Sequence, residues 1–345
     1  MPRQHVGLSA IVALGVALLF AAAAGGARGA PRAPMGLEPK SLGALAVGSS
    51  GALYIADQAS NQIIERLPDG SFRVVAGTGV RGFSGDGGPA LAARLNDPTG
   101  LAVGNDGTIY FADAGNERVR AISRDGLIKT VAGNGGRAEE SVASGRPARS
   151  TALCHPDALA FGPRHQLYIA NGTCGFIMRL TQKGTLQKIA GKAGSYADSI
   201  LPAGTLARDA TADGPNALAF DRRGDLFIAS FTTKQLRMIS PSGVMSVIAN
   251  NFYPQGDGGV VADNHGNVFA MNGQTISSVT SRGLHTLVDL SARKILSGQN
   301  KFLPNGLALG GGGTIYADTS KGNGWSGVDA LIAINAGHVH LLWMR

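Results

Sequence analysis

Along most of the chain, apolar residues alternate with small or polar ones in short runs, and the runs are broken by Gly, Asp, Asn and Pro. Period-two alternation over so few residues predicts β-strands. One segment type recurs: GALAVGSSGALYIAD from Gly43, GLAVGNDGTIYFAD from Gly100 and DALAFGPRHQLYIAN from Asp157. Looser copies are NALAFDRRGDLFIAS from Asn216, GVVADNHGNVFAMN from Gly259 and GLALGGGGTIYADT from Gly306. One apolar position sets the register at Leu45, Leu101, Leu159, Leu218, Val260 and Leu307, in steps of 56, 58, 59, 42 and 47 residues. Each copy carries four strand signals. In the second copy these are GLAV, TIYFA after Asn105-Asp106-Gly107, RVRAI, and LIKTV after Arg124-Asp125-Gly126. Asp-Gly between alternating runs predicts hairpins whose two central residues take positive φ. Similar turns fall at Pro68-Asp69-Gly70, Gln182-Lys183-Gly184, Pro241-Ser242-Gly243 and Ala336-Gly337. Four-stranded units at this spacing predict an all-β fold, a six-bladed β-propeller of antiparallel blades over residues 42–345.

Ahead of the repeats the pattern changes. Arg3 and His5 precede an apolar run from Leu8 to Ala24, followed by the small residues GGARGA. This order predicts a secretory signal peptide over residues 1–30, cut between Ala24 and Ala30, with a short segment at 31–41 before the propeller. A secreted or periplasmic protein with no membrane span after signal removal is the expectation.

Composition narrows the classes. The 44% hydrophobic content excludes a disordered chain, and the 51 glycines lack the period of three that collagen requires. Formal charge is +8, but Arg3 and Arg28 lie in the predicted signal, leaving 29 basic against 23 acidic residues. That excess reads as solvated surface. Aromatics are only 6%, too few for base-stacking platforms, so no nucleic-acid partner is expected.

From Gly77 to Gly135 the chain reads GTGVRGFSGDGGPALAARLNDPTGLAVGNDGTIYFADAGNERVRAISRDGLIKTVAGNG. This stretch resembles the NHL repeat as found in exported bacterial proteins, through its G-F-S-G-D-G-G-P-A linker, P-x-G-L-A strand, A-D-x-x-N-x-R-V turn and closing T-V-A-G. The resemblance implies a six-bladed propeller and a family of scaffolds, sensors and a few enzymes, so function has to be argued from the site. The strings DGPNALAFD and LPNGLAL are also similar to the gluconolactonase and regucalcin family, in which inner-strand acidic and Asn residues hold a divalent metal.

Several constellations follow. Asp57 and Asp113 end the second strands, and the matching positions are Asn171, Ser230, Asn272 and Thr319. They are expected to accept turn N–H groups and to pair with a third-strand arginine such as Arg66, Arg118 or Arg120. Cys154 and Cys174 lie in two loops that antiparallel order puts on one face, and a disulfide between them is expected. Their spacing also resembles a blade of the peptidyl-hydroxyglycine lyase propeller. Zinc chemistry of that kind is not expected, because the histidines cannot converge and Thr173 stands at the lyase's Tyr position. Inner strands start at Ser41-Leu42, Pro98-Thr99, Pro156-Asp157, Pro215-Asn216, Gly256-Asp257 and Pro304-Asn305. Of these, Asp157, Asn216 and Asn305 are the candidate metal ligands, for Ca2+ or another divalent cation in the central channel. The lactonase family's first-blade Glu has no counterpart here, since position 42 is Leu and Glu38 lies upstream. Gly85-Asp86-Gly87-Gly88 reads as a fixed linker turn. Long linkers at 78–97, 134–156 and 192–215 are placed on the Asp157 face, where binding residues collect.

Two functions compete. The first is a non-enzymatic exported propeller that binds a protein, peptide or glycan through its long-loop face. The alternative is a divalent-metal-dependent lactonase or hydrolase with its site at the channel mouth.

Overall fold

In the computed structural model, residues 37–138, 144–191, 201–254, 259–263, 266–273, 275–280, 283–289, 304–310, 313–319, 330–335 and 338–344 are described. The predicted signal segment and its cleavage region lie outside them. Among the described residues, twenty-four strands form six four-stranded antiparallel sheets, each in chain order. Blade one holds β1 (Leu45–Val47), β2 (Leu53–Asp57), β3 (Gln62–Arg66) and β4 (Phe72–Ala76). Blade two holds β5 (Pro98–Val103), β6 (Ile109–Asp113), β7 (Arg118–Ile122) and β8 (Ile128–Ala132). Blade three holds β9 (Pro156–Phe161), β10 (Leu167–Asn171), β11 (Phe176–Leu180) and β12 (Leu186–Ala190). Blade four holds β13 (Pro215–Phe220), β14 (Leu226–Ser230), β15 (Gln235–Ile239) and β16 (Met245–Asn250). Blade five holds β17 (Val260–Ala262), β18 (Val268–Asn272), β19 (Thr275–Thr280) and β20 (Gly283–Asp289). Blade six holds β21 (Pro304–Leu309), β22 (Ile315–Thr319), β23 (Ala330–Asn335) and β24 (His338–Met344). The innermost strands β1, β5, β9, β13, β17 and β21 each touch the next, and β21 returns to β1, so the ring is closed. The register residues Leu45, Leu101, Leu159, Leu218, Val260 and Leu307 all fall on these inner strands and are buried.

Turn chemistry differs from expectation. Gly104 N–H donates to Thr108 O, and Gly107 N–H donates to Gly104 O, both at 2.8 Å. Only Gly107, at φ +78, is left-handed; Asp106 is not. The loop is therefore a three-residue type I turn closed by a left-handed glycine, not a two-residue hairpin. The Asp106 side chain does the other half of the work, accepting the Thr108 N–H at 3.0 Å. The same bond pair recurs at Gly48, Leu67, Ser123, Gly162, Thr181, Asp221, Ser240 and Asp263.

The blades meet through a feature the sequence reading passed over. The second residue of every second strand is aromatic: Tyr54, Tyr110, Tyr168, Phe227, Phe269 and Tyr316. Each packs toward the following blade. Tyr110 meets Phe161 edge-on with centroids 5.4 Å apart, and Tyr168 meets Phe220 at 4.6 Å. Ring closure uses the same contact, with Tyr316 against the cluster of Leu42, Leu45, Ile55, Ala308 and Leu331. Blades one and six are each a continuous stretch of chain, so this seam is held by side-chain packing.

The linkers also run differently from expectation. They begin and end on the Asp157 face, but their middles descend along the outer edge of the blade they precede. Gly87 N–H donates to Ile128 O at 2.7 Å and Ile128 N–H donates to Gly88 O at 3.0 Å. Gly145 and Arg146 treat Leu186 in the same way, and Thr205 O accepts from Met245 N–H at 2.9 Å. The reason is that an outer strand presents unpaired N–H and C=O groups, which the linker satisfies.

Candidate functional site at the channel mouth

Pro98, Pro156, Pro215 and Pro304 open four inner strands at one end of the channel. The residues before three of them are left-handed: Gly214 at φ 63 and, without glycine's freedom, Asp97 at φ 53 and His155 at φ 48. A following proline disfavours compact backbone conformations at the residue before it, so the two non-glycine positions are strained and must be held by neighbours. They are: Asn61 Oδ1 accepts the Asp97 N–H at 3.0 Å, and Glu117 Oε2 accepts the His155 N–H at 2.5 Å. Asn61 and Glu117 are themselves left-handed residues before third strands. Each thus latches its own blade to the next.

His155 is the centre of this group. Its Nδ1 lies 2.6 Å from Asp157 Oδ1 and its Nε2 lies 3.9 Å from Asp97 Oδ2. The hydrogen bond to Asp157, with the charges of Asp157, Asp97 and Glu117, outweighs burial and pushes the imidazole up to about 9. At neutral pH it is an imidazolium. Burial raises the Asp157 carboxyl, opposed by His155. Space for that carboxylate comes from Gly172, where a Cβ would sit 1.6 Å from Asp157 Oδ2.

Asp157 and Asn216 occupy the second position of β9 and β13, adjacent inner strands, and both are half-buried. Asn305 takes the same position in β21; its side chain lies outside the described residues. The equivalence puts all three at the channel mouth. A divalent cation would meet one carboxylate in this set, and one of its oxygens already holds an imidazolium. Among the described residues no cluster of three or more His, Cys, Asp or Glu side chains could hold a metal ion. The described donors therefore fit a hard cation poorly.

The strand-end residues act on the incoming chain more than on their own turn. Asp57 accepts N–H bonds from Lys40 at 2.8 Å and Ser41 at 3.0 Å, as well as from Ser60 at 3.1 Å. Asp113 accepts from Asn96 at 2.7 Å, Asn171 from Cys154 at 3.1 Å, and Asn272 from Tyr253 at 2.8 Å. Ser230 Oγ donates to Asp213 O. Of the expected arginine partners, only Arg120 reaches its aspartate, Asp113, at 3.3 Å. Burial pushes the Asp113 carboxyl up to about 6, against the bonds from Asn116, Asn96 and Arg120. Arg118 instead donates to the carbonyls of Asn116 and Asn134, and its guanidinium stacks 3.8 Å from the Phe83 ring centroid.

Three long linkers have three anchors. Arg120, fully buried, binds Asp86 at 2.9 Å and the carbonyls of Ser84 and Arg94 at 2.8 and 3.0 Å. The GDGG turn therefore supplies a carboxylate as well as a bend. Arg237, also fully buried, takes Thr211 O at 2.7 Å and Asp213 at 3.2 Å. At the equivalent place in blade three stands the apolar Met178, and there the disulfide Cys154–Cys174, with Cα atoms 5.8 Å apart, ties the linker down. Arg237 escaped the sequence reading, although it occupies the same third position of its strand as Arg120.

Large apolar side chains are exposed at Val80, Phe83, Leu91, Leu127, Phe231, Tyr253 and Leu287. Val80, Phe83, Phe231 and Tyr253 belong to loops on the mouth side. Lys234 lies 5.1 Å from the Tyr253 ring centroid, repeating the cation-on-ring arrangement of Arg118 and Phe83.

Closed ring, contiguous four-stranded blades and Asp-Gly punctuation define a six-bladed NHL-type β-propeller. Residues 64–252 match the Teneurin NHL domain family, and the chain belongs to it. Teneurin-m of Drosophila melanogaster is 30% identical over 220 residues, which is 58% of this chain and 8% of that protein. Teneurin-1 of Homo sapiens is 38% identical over 99 residues, 25% of this chain and 4% of that protein. The chain thus spans less than a tenth of the length of these curated relatives. Among solved structures, a gluconolactonase from Xanthomonas campestris superposes with TM-score 0.55 at 13% identity, covering 84% of each chain. Virginiamycin B lyase from Staphylococcus aureus gives 0.54 at 14%, covering 88% of this chain and 84% of that one. A chain of a nidogen/laminin complex gives 0.52 at 12%, covering 85% of this chain and 92% of that one. At these identities the likeness is one of fold.

Proposed function

We propose that the chain is a non-enzymatic, exported propeller that binds a protein partner through its long-loop face. The observation that carries this reading is the placement of Val80, Phe83, Phe231 and Tyr253, exposed apolar side chains on loops of one face, two of them under cations. Aromatic residues and arginine are enriched among the anchors of protein interfaces. Membership of the Teneurin NHL domain family and the fold shared with a chain of a nidogen/laminin complex support it. A photo-crosslinker at position 231, with position 127 on the opposite face as control, tests the reading on candidate extracellular proteins, peptides and glycans. Labelling of one protein from position 231 alone, lost in Phe83→Ser, is expected. Equal labelling from both positions, or capture of a glycan alone, contradicts it.

A second reading, a divalent-metal-dependent lactonase or hydrolase, rests on Asp157, Asn216 and Asn305 sharing the second position of three inner strands. Stoichiometric calcium by elemental assay, with lactone turnover abolished by chelator and by Asp157→Ala, would displace the first reading.

A further inference from the structure

Blades two, three and four each have a fifth, short strand-like segment on their outer edge, supplied by the preceding linker. Its pairing is antiparallel, through Pro89 with Leu127, Pro147 with Thr185 and Leu206 with Val244. The residues of the blade that receive it are register-equivalent: Ile128, Leu186 and Met245, each opposite the end of the third strand. The segments share a pattern as well. They read DGGPALA from Asp86, SGRPARS from Ser144 and AGTLARD from Ala203, and in each the alanine after Pro or Leu (Ala90, Ala148, Ala207) is buried.

Among the described residues, blade five has the same edge without the segment. Its register places Leu284 opposite Val279 and Thr286 opposite Ser277, matching Ile128 opposite Ile122 and Thr130 opposite Arg120. Those positions turn their N–H and C=O groups outward, away from the third strand. In the covered blades the linker first bonds the edge eleven or more residues after the preceding strand, as from Ala76 to Gly87. Only nine residues, 251–259, separate β16 from β17, against the twenty-one of 77–97 between β4 and β5. Among the described residues nothing bonds the outward groups of Leu284 and Thr286. Side chains agree: Ile128, Leu186 and Met245 are buried and Thr130 is buried, whereas Leu284 is half-buried, and Thr286 and Leu287 are exposed.

We infer that the outer edge of β20 is a docking site for an extended segment of a partner protein, added antiparallel as a fifth strand and carrying the pattern Gly-x-(Pro/Leu)-Ala or Gly-(Pro/Leu)-Ala. The molecule's own linkers define that chemistry: a small, flexible start so the backbone can approach, a residue that fixes extended geometry, and an alanine small enough to be buried against the edge, as Ala90, Ala148 and Ala207 are. Main-chain bonds supply affinity and burial of the alanine supplies selection. This surface lies on the periphery of blade five and is separate from the long-loop face.

The test uses the full chain and a synthetic peptide of its own residues 84–93, SGDGGPALAA, with hydrogen exchange read residue by residue. At saturating peptide, exchange at the Leu284 and Thr286 amides is expected to slow roughly tenfold. Thr286→Pro removes one outward N–H and should abolish the protection while the melting temperature stays unchanged, since an edge strand tolerates proline there. Should that variant fail to fold, a peptide N-methylated at its first alanine serves instead and must lose the protection on the natural chain. Absence of slowing in β20, slowing confined to β8 or β12, or β20 amides already protected in a sedimenting dimer would each overturn the inference.

Discussion

At the level of single residues, the most informative positions are those where the backbone is left-handed without being glycine. His165 occupies the place that glycine takes in the equivalent turns, at φ 56, with only an Asn105 contact at 3.2 Å to offset it. His165→Gly is expected to stabilise the protein by about 1 kcal/mol in urea unfolding. His155 is the second such case, and it carries charge. Its pKa rises from 6.5 to about 9 on folding, so its pairing stabilises the fold fully below about 6.5 and that stability is lost as pH rises through about 9. Asp157→Asn should return the imidazole toward its ordinary value, measured by NMR titration, and flatten stability across that window. The sequence showed His155 and Asp157 two residues apart; that they form an ion pair depends on the left-handed turn at His155, which no local pattern announces.

Elements are held together by linkers and their anchors. Arg120→Met would leave Asp86 and Asp113 without their cation, and because Arg120 and Asp113 are fully buried the expected cost is about 3–5 kcal/mol. Blade three should respond to reductant instead. Opening the Cys154–Cys174 bridge, which spans 20 residues, is expected to cost about 3 kcal/mol, seen as a lower urea midpoint for the reduced chain. Strand positions, hairpin spacing and the cysteine pairing could all be read from the pattern, because each depends on residues close in sequence or on antiparallel order. The edge-covering route of the linkers could not. It depends on which backbone groups of β8, β12 and β16 are left unpaired, and those become known only when the sheet exists.

For the whole molecule, the ring closes at the seam between blade six and blade one, through packing of Leu42, Leu45, Ala308 and Leu331, and this seam is expected to open first because it joins the two ends of the repeat array. Leu331→Ala is expected to cost about 2–5 kcal/mol and to raise hydrogen exchange in β1 and β21 before any change in β9 or β13. A variant that unfolds as one unit, with all blades exchanging together, would show that the seam is no weaker than the other blade contacts.

The sequence by itself determined the number of blades, the four strands of each and the register of the inner ring, because alternation and turn residues act over a few positions. It also carried the aromatic second-strand position in six copies. Tertiary structure decided the rest: which carboxylate meets Arg120, that His155 pairs with Asp157, and that linkers cover three blade edges while no described residue covers the edge of β20. These outcomes depend on groups brought together across tens of residues, where burial and unsatisfied backbone groups, rather than local propensity, set the energy.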